Sequence, residues 1–279
     1  MKKSVLDSAK AKKNDEFYTK YETVERELKH YHSALQGKRI YLNCDNLDSS
    51  FYTYFQKHFE DIGLESITVT GIFSDVRVDY YGAGREKFTT IPGVGDFKSD
   101  HCIDILGEID VVVTNPPFSL ARDLIDLVLE HDRDFILLGT NNWATYKNVY
   151  PRIQENIIKM GANTDCVEAF DLPDGSETKL GFISWYTTLE SDFEKPFIPL
   201  VENYNVEDYP KYDNFDAVNT DSIKDIPSNF SKPIGVPVTI LGKLNPNQFD
   251  IITIRKGDNG KDLTVDGKPK YFRVVIKER

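Results

Sequence analysis

The residues that could do chemistry stand together in Asn115-Pro116-Pro117-Phe118, which directly follows the apolar run at 109–114. The side-chain oxygen of Asn115 and the carbonyl of Pro116 are hydrogen-bond acceptors, and each proline restricts the backbone of the residue before it. Two fixed acceptors can hold both hydrogens of an amino group on a planar ring, such as the exocyclic amine of adenine. Holding them localises the nitrogen lone pair, so the pattern predicts methyl transfer to that nitrogen.

Phe118 completes this predicted catalytic group, because its ring offers an apolar face on which an extruded base could stack. The alternative interpretation is that Asn-Pro-Pro is an ordinary turn between a strand and a loop. The tetrapeptide lies between a valine-rich strand and an amphipathic helix, and this placement favours the functional interpretation.

The elements that must position these residues follow an alternating pattern of strands and helices. Apolar periodicity predicts strands at 39–43, 66–73, 109–114 and 135–138, a hairpin at 76–80 and 87–91, and helices at 21–35, 51–62 and 119–128. This alternation predicts an α/β fold with a doubly wound, mostly parallel sheet. Ligands bind outside the carboxyl ends of such strands, where Asp45, Asp96, Asn115 and residues 139–142 fall.

Two of the predicted helices have clear apolar stripes. In the first helix the stripe is Val24, Leu28, Tyr31 and Leu35. In the helix that follows Asn115, Ser119 is the expected cap, and the stripe is Leu120, Leu124, Leu127 and Val128.

The pattern changes after about residue 190, where prolines recur and short strands are predicted at 236–241, 251–255 and 272–276. We therefore expect a catalytic domain at 1–190 and a smaller β-rich appendage at 191–279.

Composition limits the class of protein. The chain has 279 residues, 40% of them hydrophobic, and contains neither an apolar run long enough to span a membrane nor an N-terminal signal sequence. Its three cysteines, Cys44, Cys102 and Cys166, are widely spaced and fit a reducing cytoplasm. The five histidines are scattered, so no metal site is expected.

The formal net charge of −11 counts against a nucleic-acid partner, although a local basic face remains compatible with it. Positive charge is dense near the N-terminus, at Lys2, Lys3, Lys10, Lys12 and Lys13. It also gathers near the C-terminus, at Arg255, Lys256, Lys261, Lys268, Lys270, Arg273, Lys277 and Arg279. Each group is either a DNA contact or a solvated terminus.

The methyl donor expected for this chemistry is S-adenosylmethionine. Its usual Gly-x-Gly loop is missing after the first strand, where residues 43–48 read Asn-Cys-Asp-Asn-Leu-Asp. The same absence counts against a dinucleotide-dependent dehydrogenase. Asp45 could bind the donor's amino group or ribose, and Asp96 its adenine amine beside the wall formed by Phe97. The alternative for each aspartate is a loop cap.

Several segments together resemble the EcoRI-type adenine-specific DNA methyltransferases. In the N-terminal half they are Asp15-Glu16-Phe17-Tyr18-Thr19, Tyr41-Leu42-Asn43-Cys44-Asp45, Gly95-Asp96-Phe97 and residues 110–119. In the C-terminal third they are residues 209–214, Gly235-Val236-Pro237, Asn245-Pro246 and Tyr271-Phe272-Arg273.

This resemblance implies a methyltransferase-type sheet, S-adenosylmethionine as donor and N6-methyladenine in duplex DNA as product, with the adenine flipped before reaction. The donor contacts that it implies are Asp15, Phe17, Tyr18, Thr19, Asn43, Cys44, Asp45, Asp96 and Phe97. Thr19 and Phe17 have the alternative roles of a helix cap and its hydrophobic staple. Between about 159 and 185 this chain is shorter than the family pattern, so the family's target sequence is not carried over.

The resemblance also implies double-stranded DNA as partner and a cognate restriction endonuclease that acts on the same site without forming a stable complex. Other interpretations stay open: a methyltransferase acting on cytosine N4, RNA or protein glutamine, or a non-catalytic DNA-binding regulator of the same fold. RNA and glutamine enzymes usually have tyrosine in the fourth position and an intact glycine loop, and this chain has neither.

Overall fold

The computed structural model describes residues 18–163, 167–172, 175–256 and 262–279. Within these ranges the chain forms two compact units. The first comprises the described residues of Met1–Thr140 and Val167–Asp192, and the second comprises those of Asn141–Cys166 and Phe193–Arg279. The domain boundary expected at residue 190 stays a prediction.

Strands in the described residues are two to seven residues long. In chain order they are β1 (Tyr18–Thr19), β2 (Arg39–Asn43), β3 (Ser66–Thr70), β4 (Val76–Tyr80), β5 (Glu86–Thr90), β6 (Val111–Thr114), β7 (Asp134–Thr140), β8 (Lys159–Met160), β9 (Val167–Asp171), β10 (Glu177–Gly181), β11 (Ile183–Thr187), β12 (Val218–Asn219), β13 (Ile234–Pro237), β14 (Phe249–Arg255), β15 (Leu263–Val265), β16 (Lys268–Lys270) and β17 (Arg273–Glu278).

The α-helices of the same ranges are short. They are α1 (Tyr21–Leu28), α2 (His32–Leu35), α3 (Ser50–Lys57), α4 (Phe59–Ile62), α5 (Asp100–Leu106), α6 (Ala121–Glu130) and α7 (Tyr150–Gln154). Short 3-10 turns lie at Lys29–Tyr31, Asn141–Thr145, Val206–Asp208, Ile223–Asp225 and Val238–Ile240. None of the helices in the described part of the chain is long and apolar enough to cross a membrane.

Seven strands of the first unit form one mixed sheet in the order β5-β4-β3-β2-β6-β7-β11. At its centre β3, β2, β6 and β7 are parallel, whereas β4, β5 and β11 run antiparallel to their neighbours. The valine-rich strand β6 is fully buried, as expected for a parallel strand covered on both faces. The predicted α/β fold with a parallel centre is therefore confirmed.

Strand order locates the ligand crevice. The chain places β3 on one side of β2 and β6 on the other, so the direction of winding reverses between β2 and β6. Ligands in open α/β sheets bind at the carboxyl ends of strands at such a reversal. Cys44 and Asp45 follow β2 directly, and Asn115 follows β6.

The first predicted helix is interrupted, although its stripe is correct. Val24, Leu28, Tyr31 and Leu35 are all fully buried. A 3-10 turn at Lys29–Tyr31 separates α1 from α2 because the backbone N–H of Asp192 donates to the carbonyl of His30 at 2.6 Å. That carbonyl is therefore diverted toward another segment of the unit.

Some predictions for the helix and the strand next to the site were wrong. Ser119 is not the cap of α6: its N-cap is Leu120, whose N–H donates to the carbonyl of Pro117 at 2.9 Å, and no side chain caps the helix. In that helix Leu124 and Val128 are buried as predicted, whereas Leu120 and Leu127 are only half-buried. The strand predicted at 66–73 ends at Thr70, because residues 71–74 leave the sheet to line the crevice.

The second unit contains the four-stranded sheet β12-β13-β17-β14 and the hairpin β15-β16. A strand predicted at 236–241 lies instead at Ile234–Pro237 and passes into the 3-10 turn at Val238–Ile240. The ring of Tyr212 packs directly on Gly235, where an added Cβ would overlap the Tyr212 hydroxyl. This contact explains why glycine stands in β13.

Candidate active site

A cavity of about 690 Å³ opens at the carboxyl ends of β2, β3 and β6. Pockets that hold small molecules fall in the range of roughly 300–1,000 Å³. The lining residues are 18–19, 44–46, 48–51, 71–74, 115–117 and Asp171. The cavity thus brings together Asn115 with its two prolines and the first residues after β2.

Asn115 is held by a hydrogen bond from outside its own loop. Its side-chain Nδ2 donates to Thr19 Oγ1 at 3.1 Å. Thr19 is 7% exposed, so this bond is sheltered from water. Because the amide plane is fixed at its nitrogen, the direction of the Asn115 carbonyl oxygen is fixed as well.

The position of Thr19 depends on a strand pairing between distant parts of the chain. β1 pairs antiparallel with β9, with Thr19 opposite Phe170 and Tyr18 opposite Asp171. β9 in turn pairs with β10. This small sheet places Tyr18, Thr19 and Asp171 in the cavity wall.

Asp45 is linked to the same region through the residue that precedes Asn115. Thr114 Oγ1 donates to Asp45 Oδ2 at 2.8 Å. Burial raises the pKa of Asp45 to about 7, although hydrogen bonds from Thr114 and Ser49 act in the opposite direction. A positively charged neighbour would stabilise the ionised form of this half-buried carboxylate.

The lining of the cavity is acidic. Among the lining residues that the structure describes, Asp45, Asp48 and Asp171 carry carboxylates and none is lysine or arginine. Lys20 lies outside the lining and partly neutralises Asp171, with 3.5 Å between Nζ and Oδ1. The net field favours a cationic ligand.

One wall of the cavity is the beginning of α3. Ser49 is its N-cap and accepts a hydrogen bond from the backbone N–H of Tyr52. Ser49, Ser50 and Phe51 all line the cavity. Backbone N–H groups at a helix N-terminus attract an anionic group, so the cavity offers an anion position beside its carboxylates.

Cys44 occupies a strained position between β2 and Asp45. Its φ is 71°, a left-handed conformation that non-glycine residues rarely adopt and that is often found at functional sites. Its N–H donates to the Thr70 carbonyl at 3.1 Å. Burial raises the pKa of the Cys44 thiol well above its usual value, so the thiol stays protonated and unreactive at neutral pH.

Several predicted site residues do not line the cavity. Asn43 is 1% exposed, and neither atom of its amide has a hydrogen-bond partner among the described residues. Asp96 is exposed and accepts from the backbone N–H of Lys98, whereas Phe97 and Phe118 are buried at 2% and 8% exposure. The roles expected for these residues stay predictions. The predicted donor contacts Asp15 and Phe17, and Cys166, lie outside the described residues.

The loop that carries Asp96 is packed against the cavity wall by a glycine. A Cβ on Gly95 would lie 2.5 Å from the carbonyl oxygen of Gly71, a residue that lines the cavity. The Gly95 N–H also donates to the Ser74 carbonyl at 2.8 Å. Glycine at 95 therefore allows the two loops to touch.

Sequence patterns missed three contributors to the site: Phe73, Asp171 and the first turn of α3. Phe73 lines the cavity and is 82% exposed. The sequence pattern had placed it inside the strand predicted at 66–73. Gly71 was the residue that could have indicated an earlier end of that strand. Asp171 had no local signal, since only the pairing of β1 with β9 brings it to the cavity. No cluster of three or more His, Cys, Asp or Glu side chains in the described ranges could hold a metal ion.

Comparison with known proteins decides the family. The family described as adenine-specific methyltransferase EcoRI matches residues 5–87 and 72–279 of this chain. The chain belongs to this family. No solved structure matches it.

Three relatives are similar over nearly their whole length. Type II methyltransferase M.EcoRI of Escherichia coli is 36% identical over 314 residues, which cover 99% of this chain and 96% of that protein. Type II methyltransferase M.MgeORF184P of Mycoplasma genitalium is 30% identical over 312 residues, 98% of each chain. Type II methyltransferase M.MpnI of Mycoplasma pneumoniae is 30% identical over 313 residues, again 98% of each chain.

Membership in this EcoRI family confirms the resemblance drawn from the sequence. The chain is an enzyme, a DNA methyltransferase specific for adenine. The alternatives of cytosine-N4, RNA or protein-glutamine methylation, and of a non-catalytic regulator, are thereby set aside. Family membership does not assign the roles of individual residues, which depend on the geometry of the cavity.

Proposed function

We propose that this enzyme transfers a methyl group from S-adenosylmethionine to N6 of an adenine flipped out of duplex DNA, in the cavity between β2 and β6. The observation that carries this proposal is that Asn115, Pro116 and Asp45 line one cavity whose described lining holds three carboxylates and no basic side chain. Methyl transfer from a sulfonium to an amine has two requirements. One is a pair of fixed acceptors for the amine hydrogens, here Asn115 Oδ1 and the Pro116 carbonyl, which we call the Asn115 bracket. The other is a wall that binds a cation.

The cavity fits the donor in size and charge. S-adenosylmethionine, when bound, supplies an electrophilic methyl group on a positively charged sulfur. Asp45 would hold its ammonium or ribose hydroxyls, and the N–H groups at the start of α3 would hold its carboxylate. Phe73, exposed on the cavity wall, offers a face for its adenine ring.

The acceptor side rests on the Asn115 bracket. Asn115 Oδ1 and the Pro116 carbonyl would accept the two hydrogens of the adenine amine and concentrate its lone pair on nitrogen. Pro116 is buried and has no N–H, so its carbonyl offers a fixed acceptor. Acceptors fixed before substrate arrives need no reorganisation during the reaction.

Thr19 acts in this proposal as a positioning residue. Its hydroxyl binds Nδ2 of Asn115 and thereby sets the direction of the Asn115 oxygen. The sequence resemblance implied a donor contact for Thr19, and its place in the cavity lining is compatible with both roles.

Phe118 is proposed to stack on the flipped adenine. Its ring is 8% exposed in the protein without DNA, so a stack requires that the ring become uncovered when DNA binds. A base–aromatic stack is worth about 1–3 kcal/mol, which would help to offset the cost of unstacking the base.

DNA recognition is proposed for the β-rich part at 191–279 and for the segment between about 159 and 185. By analogy with relatives named Type II methyltransferases, a restriction endonuclease that cuts the same site is the proposed functional partner, without a stable complex.

The test is incubation of the protein with plasmid DNA and methyl-labelled S-adenosylmethionine, followed by digestion to nucleosides. We expect the label in N6-methyl-2′-deoxyadenosine only, and about a hundredfold less of it, or none, when Asn115→Ala replaces the wild type. Label in N4-methyl-2′-deoxycytidine, or transfer to RNA or protein instead of DNA, would overturn the proposal.

A further inference from the structure

The edge of the second unit near β16 and β17 combines basic side chains with an exposed aromatic ring. The residues concerned are Arg255, Lys268, Lys270, Tyr271 and Arg273, which we call the basic edge. We propose that the basic edge is a DNA-contacting surface, on which Arg255, Lys268 and Lys270 bind backbone phosphates and Tyr271 packs against a base or sugar, while the 12% exposed Arg273 is held by Asp221 and Asn219. This inference rests on the proposed function and assigns one surface to its DNA.

The first observation is a pair of like charges. Arg255 of β14 lies directly opposite Arg273 of β17 in the antiparallel ladder, so both side chains point to the same face of the sheet. Like charges in this position destabilise a sheet. The side chain of Arg255 has no hydrogen-bond or ion-pair partner within the described residues. Of this pair, Asp221 neutralises Arg273 alone, so an anionic ligand would explain why a second arginine stands opposite it.

The second observation is how little negative charge balances the cluster. Arg273 and Lys270 share one carboxylate, Asp221, at 2.5 Å and 2.8 Å. The hydrogen bond from Lys270 is the largest factor that lowers the pKa of Asp221 to about 2. Asp266 in the hairpin turn is a second, exposed carboxylate. Asp213, which accepts from the Gly267 N–H, is a third. The four cations therefore lie beside three carboxylates of the described residues, in a chain whose total charge is −11.

The third observation is Tyr271 itself, which is 62% exposed between Lys270 and Arg273. Its neighbour Phe272 has a φ of 46° and is buried, so the backbone turns sharply at the point where the ring of Tyr271 points outward. The Tyr271 carbonyl accepts from Arg273 Nη1 at 2.9 Å, which holds this turn. An aromatic ring among cations is the usual composition of a nucleic-acid contact.

The surface is also rigid. The β15-β16 hairpin turns at Asp266 and Gly267, both with positive φ, and Asp213 Oδ2 accepts from the Gly267 N–H at 2.9 Å. Leu263 and Val265 pack into a buried cluster with Tyr212. Lys268 and Lys270 lie on the same face of β16, so the hairpin presents both side chains on one side.

The test measures binding of the full-length protein to a random-sequence DNA duplex over a series of salt concentrations. Arg255→Gln and Lys268→Gln should each lower the slope of log affinity against log salt by about 0.9, one phosphate contact each. Tyr271→Ala should weaken binding by about 5- to 150-fold with the slope unchanged. Arg255→Gln should also unfold at a temperature no lower than that of the wild type, because a like-charge pair is relieved.

The matched controls are Lys87→Gln and Phe88→Ala on the exposed strand β5 of the first unit, which remove the same charge and a comparably exposed ring (59% for Phe88). The controls should bind DNA as the wild type does. If the basic-edge variants keep wild-type slope and affinity, or the controls lose as much, the surface assignment is overturned. A wild-type protein that binds DNA but transfers no methyl group would instead contradict the proposed function.

Discussion

At the scale of single residues, catalysis depends on the amide of Asn115. Asn115→Ala should lower the rate of methyl transfer by about a hundredfold or more, as removal of a preorganised polar group does in other enzymes. Donor affinity, measured by calorimetry, should change little, because the proposed partner of this amide is the acceptor amine. An active Asn115→Ala enzyme would contradict the assignment of the bracket.

Asp45 should make donor binding depend on pH. Its pKa of about 7 means that a cationic donor gains a carboxylate partner only as pH rises toward 7. Affinity for S-adenosylmethionine, followed by calorimetry, should therefore strengthen as pH rises through about 7 and level off only above it. Asp45→Asn should bind more weakly above pH 7 and lose this pH dependence. Asp48→Asn, which removes the same charge from an exposed position, is the matched control and should keep the dependence.

The same group should have an opposite effect on stability. Burial raises the folded-state pKa of Asp45 from its usual 3.8, so ionisation costs stability as pH rises from 3.8 through about 7. Asp45→Asn removes that cost and should raise the unfolding temperature above pH 7, with the gain vanishing near pH 4. If the variant is less stable at pH 8, the carboxylate is stabilised by contacts that its burial does not reveal.

At the scale of elements, the pairing of β1 with β9 supports the bracket. Thr19→Val keeps the shape of the side chain but removes the hydroxyl that binds Asn115. A lost hydrogen bond of about 1 kcal/mol predicts a fall in kcat of roughly fivefold, with the KM for the donor nearly unchanged. Thr19→Ser should restore kcat, which separates a positioning role from loss of packing. An equal loss in both variants would assign the effect to β1 itself.

For the molecule as a whole, an acidic enzyme must bind a polyanion. The lysines at 10, 12 and 13 form the densest positive charge in the N-terminal sequence. Deletion of residues 1–13 should lower both DNA affinity and its salt slope without changing which sequence is methylated, because phosphate contacts position and base contacts specify. Binding at several salt concentrations measures this, and an unchanged slope would show that these lysines do not contact DNA.

Local patterns along the chain were enough to predict the catalytic strand end and the class of fold. An apolar run followed by Asn-Pro-Pro put Asn115 at the end of a buried strand, since proline stiffness and strand burial act within a few residues. Alternating strands and helices were sufficient for the α/β class and for placing Asp45 and Asn115 at one edge. The family segments were likewise readable from the chain alone.

Features that depend on distant segments became visible only in the folded chain. Tyr18 and Asp171 are neighbours although 153 positions separate them, and no periodicity in either segment predicts that pairing. The break after α1 comes from Asp192, whose backbone N–H binds the His30 carbonyl from far along the chain. Local patterns show which residues are buried and whether a segment has the period of a helix or a strand. Which distant segments pair with each other depends on the packing of the whole unit, and that packing sets the walls of the cavity around Asn115.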